Sequence, residues 1–133
     1  MKIEQAWYRI SIKALVYNEK WDFLLAKENN WVWDIPGGGL DHWENPIDCI
    51  KRELKEEMGL EVTYINKTPK YFITVHKPKS KTRPWIANVF YEVKVKDLNF
   101  TSSDECIEIW FFNKDTIKNI KVLPNVTEFF KNN

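Results

Sequence analysis

Three glutamates, Glu53, Glu56 and Glu57, stand at i, i+3 and i+4 in a stretch that reads as a helix, and carboxylates so spaced can bind a divalent cation. With roughly 100° of rotation per residue they fall within about one third of the helix circumference, beside an apolar stripe of Ile47, Ile50, Leu54 and Met58. Local signals bound this helix. Asn45 is a good N-cap, Pro46 suits the first helical position, Asp48 stands where a capping-box acid would, and Gly59 ends it. Like charges at i,i+4 weaken a helix by about 0.2–0.5 kcal/mol per pair, a cost that bound Mg²⁺ or Mn²⁺ offsets. For the three acids alone, a solvated acidic face is the alternative, since Lys51 and Lys55 are close in sequence.

The wider segment adds to this. Gly38, five residues, Glu44, seven residues and then Arg52-Glu53-Leu54-Lys55-Glu56-Glu57-Met58-Gly59-Leu60 place nine characteristic positions in 23 residues. This pattern resembles the signature of the Nudix hydrolase family. The preceding Trp33-Asp34-Ile35-Pro36-Gly37-Gly38-Gly39-Leu40 is similar to the run that leads into that box in many members. One departure is Trp43, where members commonly carry glycine before the first box glutamate. The resemblance implies an α+β fold, an α/β/α sandwich with a mixed β-sheet. It further implies a Mg²⁺- or Mn²⁺-dependent hydrolase that cleaves the pyrophosphate linkage of a nucleoside diphosphate joined to another moiety, X. By the same match, Glu53, Glu56, Glu57 and the carbonyl of Gly38 are the metal ligands, Arg52 orients the acids, and Glu44 supports from the loop. Leu54 and Leu60 are core positions.

Hydrolysis also needs a base. Glu56 and Glu57 are candidates, and so is the acidic pair in Ser103-Asp104-Glu105, because members often carry an acid in this loop that reaches the metals. Glu105 therefore joins Glu53, Glu56, Glu57 and Arg52 as a catalytic candidate, with a turn role for Asp104 and Glu105 as the alternative. For substrate, Leu123-Pro124-Asn125-Val126 resembles the arrangement by which members that hydrolyse oxidised purine triphosphates contact the base. Asn125 is thus a candidate base reader, with Asp34, Trp33 and Arg9 as further substrate contacts. Capping a helix that starts at Val126 is the other role open to Asn125. Trp31 and Trp85 are possible stacking platforms, and the basic run from His76 to Pro84 reads as a loop able to meet phosphates. A nucleoside triphosphate is the first substrate expected; a dinucleoside polyphosphate, a nucleotide sugar, or a non-catalytic nucleotide-sensing role are the alternatives.

Composition agrees with one compact domain over residues 1–133. At 44% hydrophobic content the chain can bury a real core without staples. A formal net charge of +1 gives no global attraction to nucleic-acid polymer or membrane, so a small nucleotide is the expected partner of a monomer or homodimer. Cys49 and Cys106 are too few for a disulfide framework or zinc site. No stretch approaches membrane-spanning length, and the first residues do not read as a signal peptide, so a cytoplasmic location is expected.

Alternation over residues 8–16 predicts a strand with one face buried, and residues 21–26 read as its hairpin partner after a turn at 18–20. Further strands are expected at 62–65, 71–75, 86–95 and 107–112, with a short helix near Asp115 and a terminal one over 126–131.

Overall fold

A computed structural model describes residues 7–76 and 85–133; the expected phosphate-meeting loop after His76 falls outside the described residues. The order is β1 (Arg9–Leu15), β2 (Phe23–Lys27), β3 (Trp33–Asp34), β4 (Gly37–Gly39), α1 (Pro46–Met58), β5 (Val62–Ile65), β6 (Tyr71–His76), β7 (Trp85–Val95), β8 (Glu108–Phe112), a 3₁₀ turn (Thr116–Asn119) and α2 (Pro124–Lys131). The strands make two sheets. In the larger, β1 lies between antiparallel β4 and parallel β7, and the far edge of β7 carries β6 along its first half and β5 along its end. In the smaller, β2 lies between β3 and β8, both antiparallel.

The expected hairpin of β1 with β2 forms only at its tip. Asn18 shapes the turn, its Oδ1 accepting from the backbone N–H of Lys20 and Asp22 at 2.9 Å each, and Leu24 donates to the Val16 carbonyl at 2.9 Å. Beyond that the strands part, because both hydrogen-bonding edges of β1 are already taken by β4 and β7. β2 thereby becomes the centre of its own sheet.

Together the two sheets form the middle layer of an α/β/α sandwich. Ile12, Ala14, Leu24, Ala26, Tyr91 and Val93 turn toward α1, where Cys49, Ile50, Leu54 and Met58 meet them. Leu15, Leu25, Trp33 and Phe90 turn the other way, onto Val126, Phe129 and Phe130 of α2. Arg9, Ser11 and Lys13 alternate with the α1-facing residues, so they point to the α2 side. The polar face of β1 is consequently not a solvent face: Ser11 and Lys13 are buried.

α1 forms as its capping residues dictate. Asn45 accepts from the Asp48 N–H at 2.9 Å and its amide donates to the Asp48 carboxylate at 2.8 Å, so cap and first turn hold each other. At the other end Gly59 takes the left-handed conformation, φ +67°, and donates to the Lys55 carbonyl at 3.0 Å. α2 begins at Pro124 with Leu123 as N-cap, two residues before the expected start. Asn125 therefore lies inside the first turn and is not the cap.

Candidate active site

The three helix acids separate once α1 is packed. Glu53 is 8% exposed and lies against β4, where a Cβ on Gly38 would stand 2.5 Å from its carboxyl carbon. Only glycine admits the carboxylate so close to the strand. Glu57 is half-buried one turn on, whereas Glu56 is exposed and paired at 3.4 Å with Arg52. The partner that completes the cluster is Glu105: carboxylate oxygens of Glu53, Glu57 and Glu105 lie within 4.8 Å of one another. The loop bearing Glu105 is tied to α1 by Ser103, whose hydroxyl donates to the Glu57 carbonyl at 2.7 Å and accepts from the Cys106 N–H at 3.2 Å. Asp104 is exposed beside it.

Arg52 organises the rim. Its Nε and Nη2 grip both oxygens of Glu44 at 2.7 and 2.9 Å, Nη1 donates to Glu53 at 2.9 Å, and Asp41 lies 3.4 Å from Nη2. This fork pulls the Glu44 carboxyl down to about 2. Glu57 is driven the opposite way, up to about 9, by burial and then by the neighbouring Glu53 and Glu105. Three carboxylates so close together, below a strand with no side chain in the way, suit a hard divalent cation; soft thiolate metals do not fit. The Cys49 thiol behind the cluster is buried and pushed up to about 12, which leaves it an inert packing group.

A cavity of about 230 Å³ is lined by Glu57 and Glu105 of this cluster, by Asp34, Ile35, Pro36 and Gly37 from the loop before the box, and by Glu28 and Asn29. Asp34 is the centre of a buried polar tie. Its Oδ2 receives Lys13 at 2.8 Å, and its Oδ1 receives the Ile35 N–H at 2.7 Å and the amide of Asn125. The structure thus joins Asp34 and Asn125, which are far apart in sequence, and adds Lys13. In the sequence Lys13 is only one of the polar positions alternating through residues 8–16, and no local signal ties it to Asp34, 21 residues on in another sheet. Trp33 itself is 6% exposed and packs edge-on to Phe112 at 4.9 Å, so its ring belongs to the core. Arg9 donates to the Leu40 carbonyl at 2.9 Å and keeps a buried Nε without a hydrogen-bond partner among the described residues. Trp85 lies apart, stacked on His76 at 4.2 Å, and Trp31 lies under the Lys27 ammonium. Among the described residues no helix is long and apolar enough to cross a membrane.

A mixed-sheet α/β/α sandwich with an acidic helix facing a glycine strand defines a class of fold. The comparisons place the chain within it: a NUDIX domain profile matches residues 7–131, and the chain belongs to that family. A MutT protein from Methanosarcina mazei Go1 has a similar structure, with TM-score 0.71 and 26% identity, over 94% of this chain and 91% of that one. An ADP-ribose pyrophosphatase from Streptococcus suis 89-1591 is similar at TM-score 0.60 and 27% identity, over 80% and 75% of the two chains. An RNA pyrophosphohydrolase from Ruthia magnifica is 38% identical over 73 residues, which cover 52% of this chain and 41% of that relative's length.

Proposed function

We propose that this chain is a divalent-cation-dependent hydrolase of the pyrophosphate linkage in nucleoside diphosphates joined to X, with nucleoside triphosphates the first substrates to test. The observation that carries this reading is the convergence of Glu53, Glu57 and Glu105, with Glu53 against Gly38 and with Glu57 and Glu105 lining a cavity that Asp34 also lines. Glu53, Glu57 and Glu105 would hold Mg²⁺ or Mn²⁺, with Glu56 and the Gly38 carbonyl as further ligands. When bound, the cation neutralises phosphate oxygens and orients water. The chain's own residues do the rest. Arg52 keeps Glu53 and Glu56 aimed by charge-assisted hydrogen bonds. Once the cation holds the cluster ionised, Glu57 accepts the proton of the attacking water, and Glu105 is the other carboxylate in reach.

Asn125 reads the base on this proposal, positioned by Asp34, which is itself held by Lys13 at 2.8 Å. Because Asn125 is not the helix cap, Asn125→Ser leaves the helix start intact. It is expected to lower kcat/KM for the preferred purine nucleotide by roughly tenfold while a pyrimidine nucleotide changes little. Steady-state kinetics on the four common nucleoside triphosphates measure this, and an equal loss on all four would remove Asn125 as a reader.

A second reading has one observation in its favour, the name of the similar RNA pyrophosphohydrolase. A 5′-triphosphorylated oligoribonucleotide belongs beside the nucleoside triphosphates, ADP-ribose and diadenosine tetraphosphate in one panel with Mg²⁺ and detection of released phosphate and pyrophosphate. No turnover on any of them would sink the hydrolase proposal.

A further inference from the structure

α1 covers only part of the sheet face it lies on. Ile12, Ala14, Tyr91 and Val93 of that face pack against the helix. Toward the start of β1 and β7 the same face continues. Alternation along these two strands puts Ile10, Trp85, Ala87 and Val89 on it, with Ile10 beside Ala87. The register of β6 on β7 then sets Phe72 opposite Val89, Thr74 opposite Ala87 and His76 opposite Trp85. Tyr8 joins them, its ring tilted on Trp85 at 6.0 Å, while His76 stacks on the same indole at 4.2 Å.

A sheet face turned to water is ordinarily polar. Here the order is reversed. Ser11 and Asn88, on the α2 side of the same strands, are buried, whereas Ile10 is 43% exposed, Tyr8 47%, Trp85 42% and Phe72 66%. Those four side chains present about 400 Å² of apolar surface, the size of the largest patch on a typical monomer and often a functional one. None of the α1-side positions from Tyr8 to Phe72 holds Lys, Arg, Asp or Glu.

Lack of charge selects the occupant. A charged partner would lose hydration against this face and gain no ion pair in return. An identical face brings only apolar surface and repels nothing, and a two-fold axis sets a patch against its own copy. The area also fits. A standard interface buries about 800 Å² on each partner, apolar at its centre and polar at its rim. The four apolar side chains supply roughly half of that, and Thr74 and His76 add polar groups beside them. We infer that this chain forms a homodimer through the uncovered part of the α1-side face, two sheets packed face to face about 10 Å apart. None of these residues lines the cavity or joins the acid cluster, so the contact stands or falls independently of the hydrolase reading.

Sedimentation velocity on the full chain, over a concentration series up to about 100 μM, tests this. The wild type should sediment as a dimer. Phe72→Glu and Thr74→Glu, both at exposed positions, should each weaken the dimer Kd by about tenfold or more while the far-ultraviolet circular dichroism stays that of the wild type. If Phe72→Glu disturbs the strand, the milder Thr74→Glu decides. Trp110→Glu, on the smaller sheet and as exposed as Phe72, should leave the dimer intact. A wild type that stays monomeric, a dimer that survives both glutamates, or one that Trp110→Glu dissociates instead overturns the inference. So does a monomer that binds a 5′-phosphorylated oligoribonucleotide and loses it in Phe72→Glu, since the face would then be a stacking surface for nucleic acid.

Discussion

Glu57→Gln is expected to lower kcat in saturating Mg²⁺ by on the order of 10²-fold or more, while making the cation-free protein harder to melt. Glutamine keeps the shape of the side chain and removes its charge. The second half follows from proton linkage. In the unfolded chain the carboxyl titrates near 4.5, whereas burial with Glu53 and Glu105 holds it protonated up to about 9 in the folded protein. Between those values the unfolded chain has released a proton that the folded chain keeps, so stability falls as pH rises from about 4.5 toward 9. The glutamine variant carries no such loss. Melting in EDTA should give it a Tm advantage that is small at pH 5 and grows to several degrees at pH 8. Adding Mg²⁺ should reverse the order, since the wild type gains a ligand bond that glutamine makes poorly. EDTA alone should abolish wild-type turnover. Turnover persisting in EDTA, or a variant kcat within about threefold of wild type, would be incompatible with the proposed chemistry.

Gly38→Ala should be nearly as damaging by a different route. The added methyl would lie 2.5 Å from the Glu53 carboxyl carbon and 2.6 and 2.7 Å from its oxygens. Something must move, and the end of a side chain moves more cheaply than two packed backbones. The displaced carboxylate would leave both the cluster and its hydrogen bond from Arg52. The expected result is a loss of kcat of about 10²-fold and a weaker Mg²⁺ Kd by calorimetry, with a Tm within a few degrees of wild type. Wild-type Mg²⁺ affinity in this variant would mean that Glu53 is not a ligand.

What was legible in the chain was what local rules decide. Asn45, Pro46, Asp48 and Gly59 bracket α1 through hydrogen bonds to their near neighbours, so its limits follow from sequence alone. The grouping of acids around it does not. A helical wheel places Glu53, Glu56 and Glu57 on one arc but carries no information about what packs against that arc. In the fold, Gly38 and the Ser103–Glu105 loop receive Glu53 and Glu57, while Glu56 turns out to solvent with Arg52. The same limit explains Lys13. Alternation in β1 is real, yet the alternate face is covered by a helix more than a hundred residues later, and its lysine ends in a buried ion pair. The parting of β1 from β2 was likewise invisible, because it depends on β7 claiming an edge of β1.

That last pairing has a bearing on when the protein becomes competent. β1 ends at Leu15 and its parallel neighbour β7 begins at Trp85, so the central pair of the larger sheet forms only after most of the chain has been synthesised. Glu105 arrives later still, and its loop is seated by β8 docking on β2. Until both long-range pairings close, Glu53 and Glu57 have no third acid and α1 has only part of its floor. On the proposed function, cation affinity is therefore a gauge of completed folding: a nascent or partly unfolded chain carries Glu53 and Glu57 yet lacks the site proposed for them with Glu105.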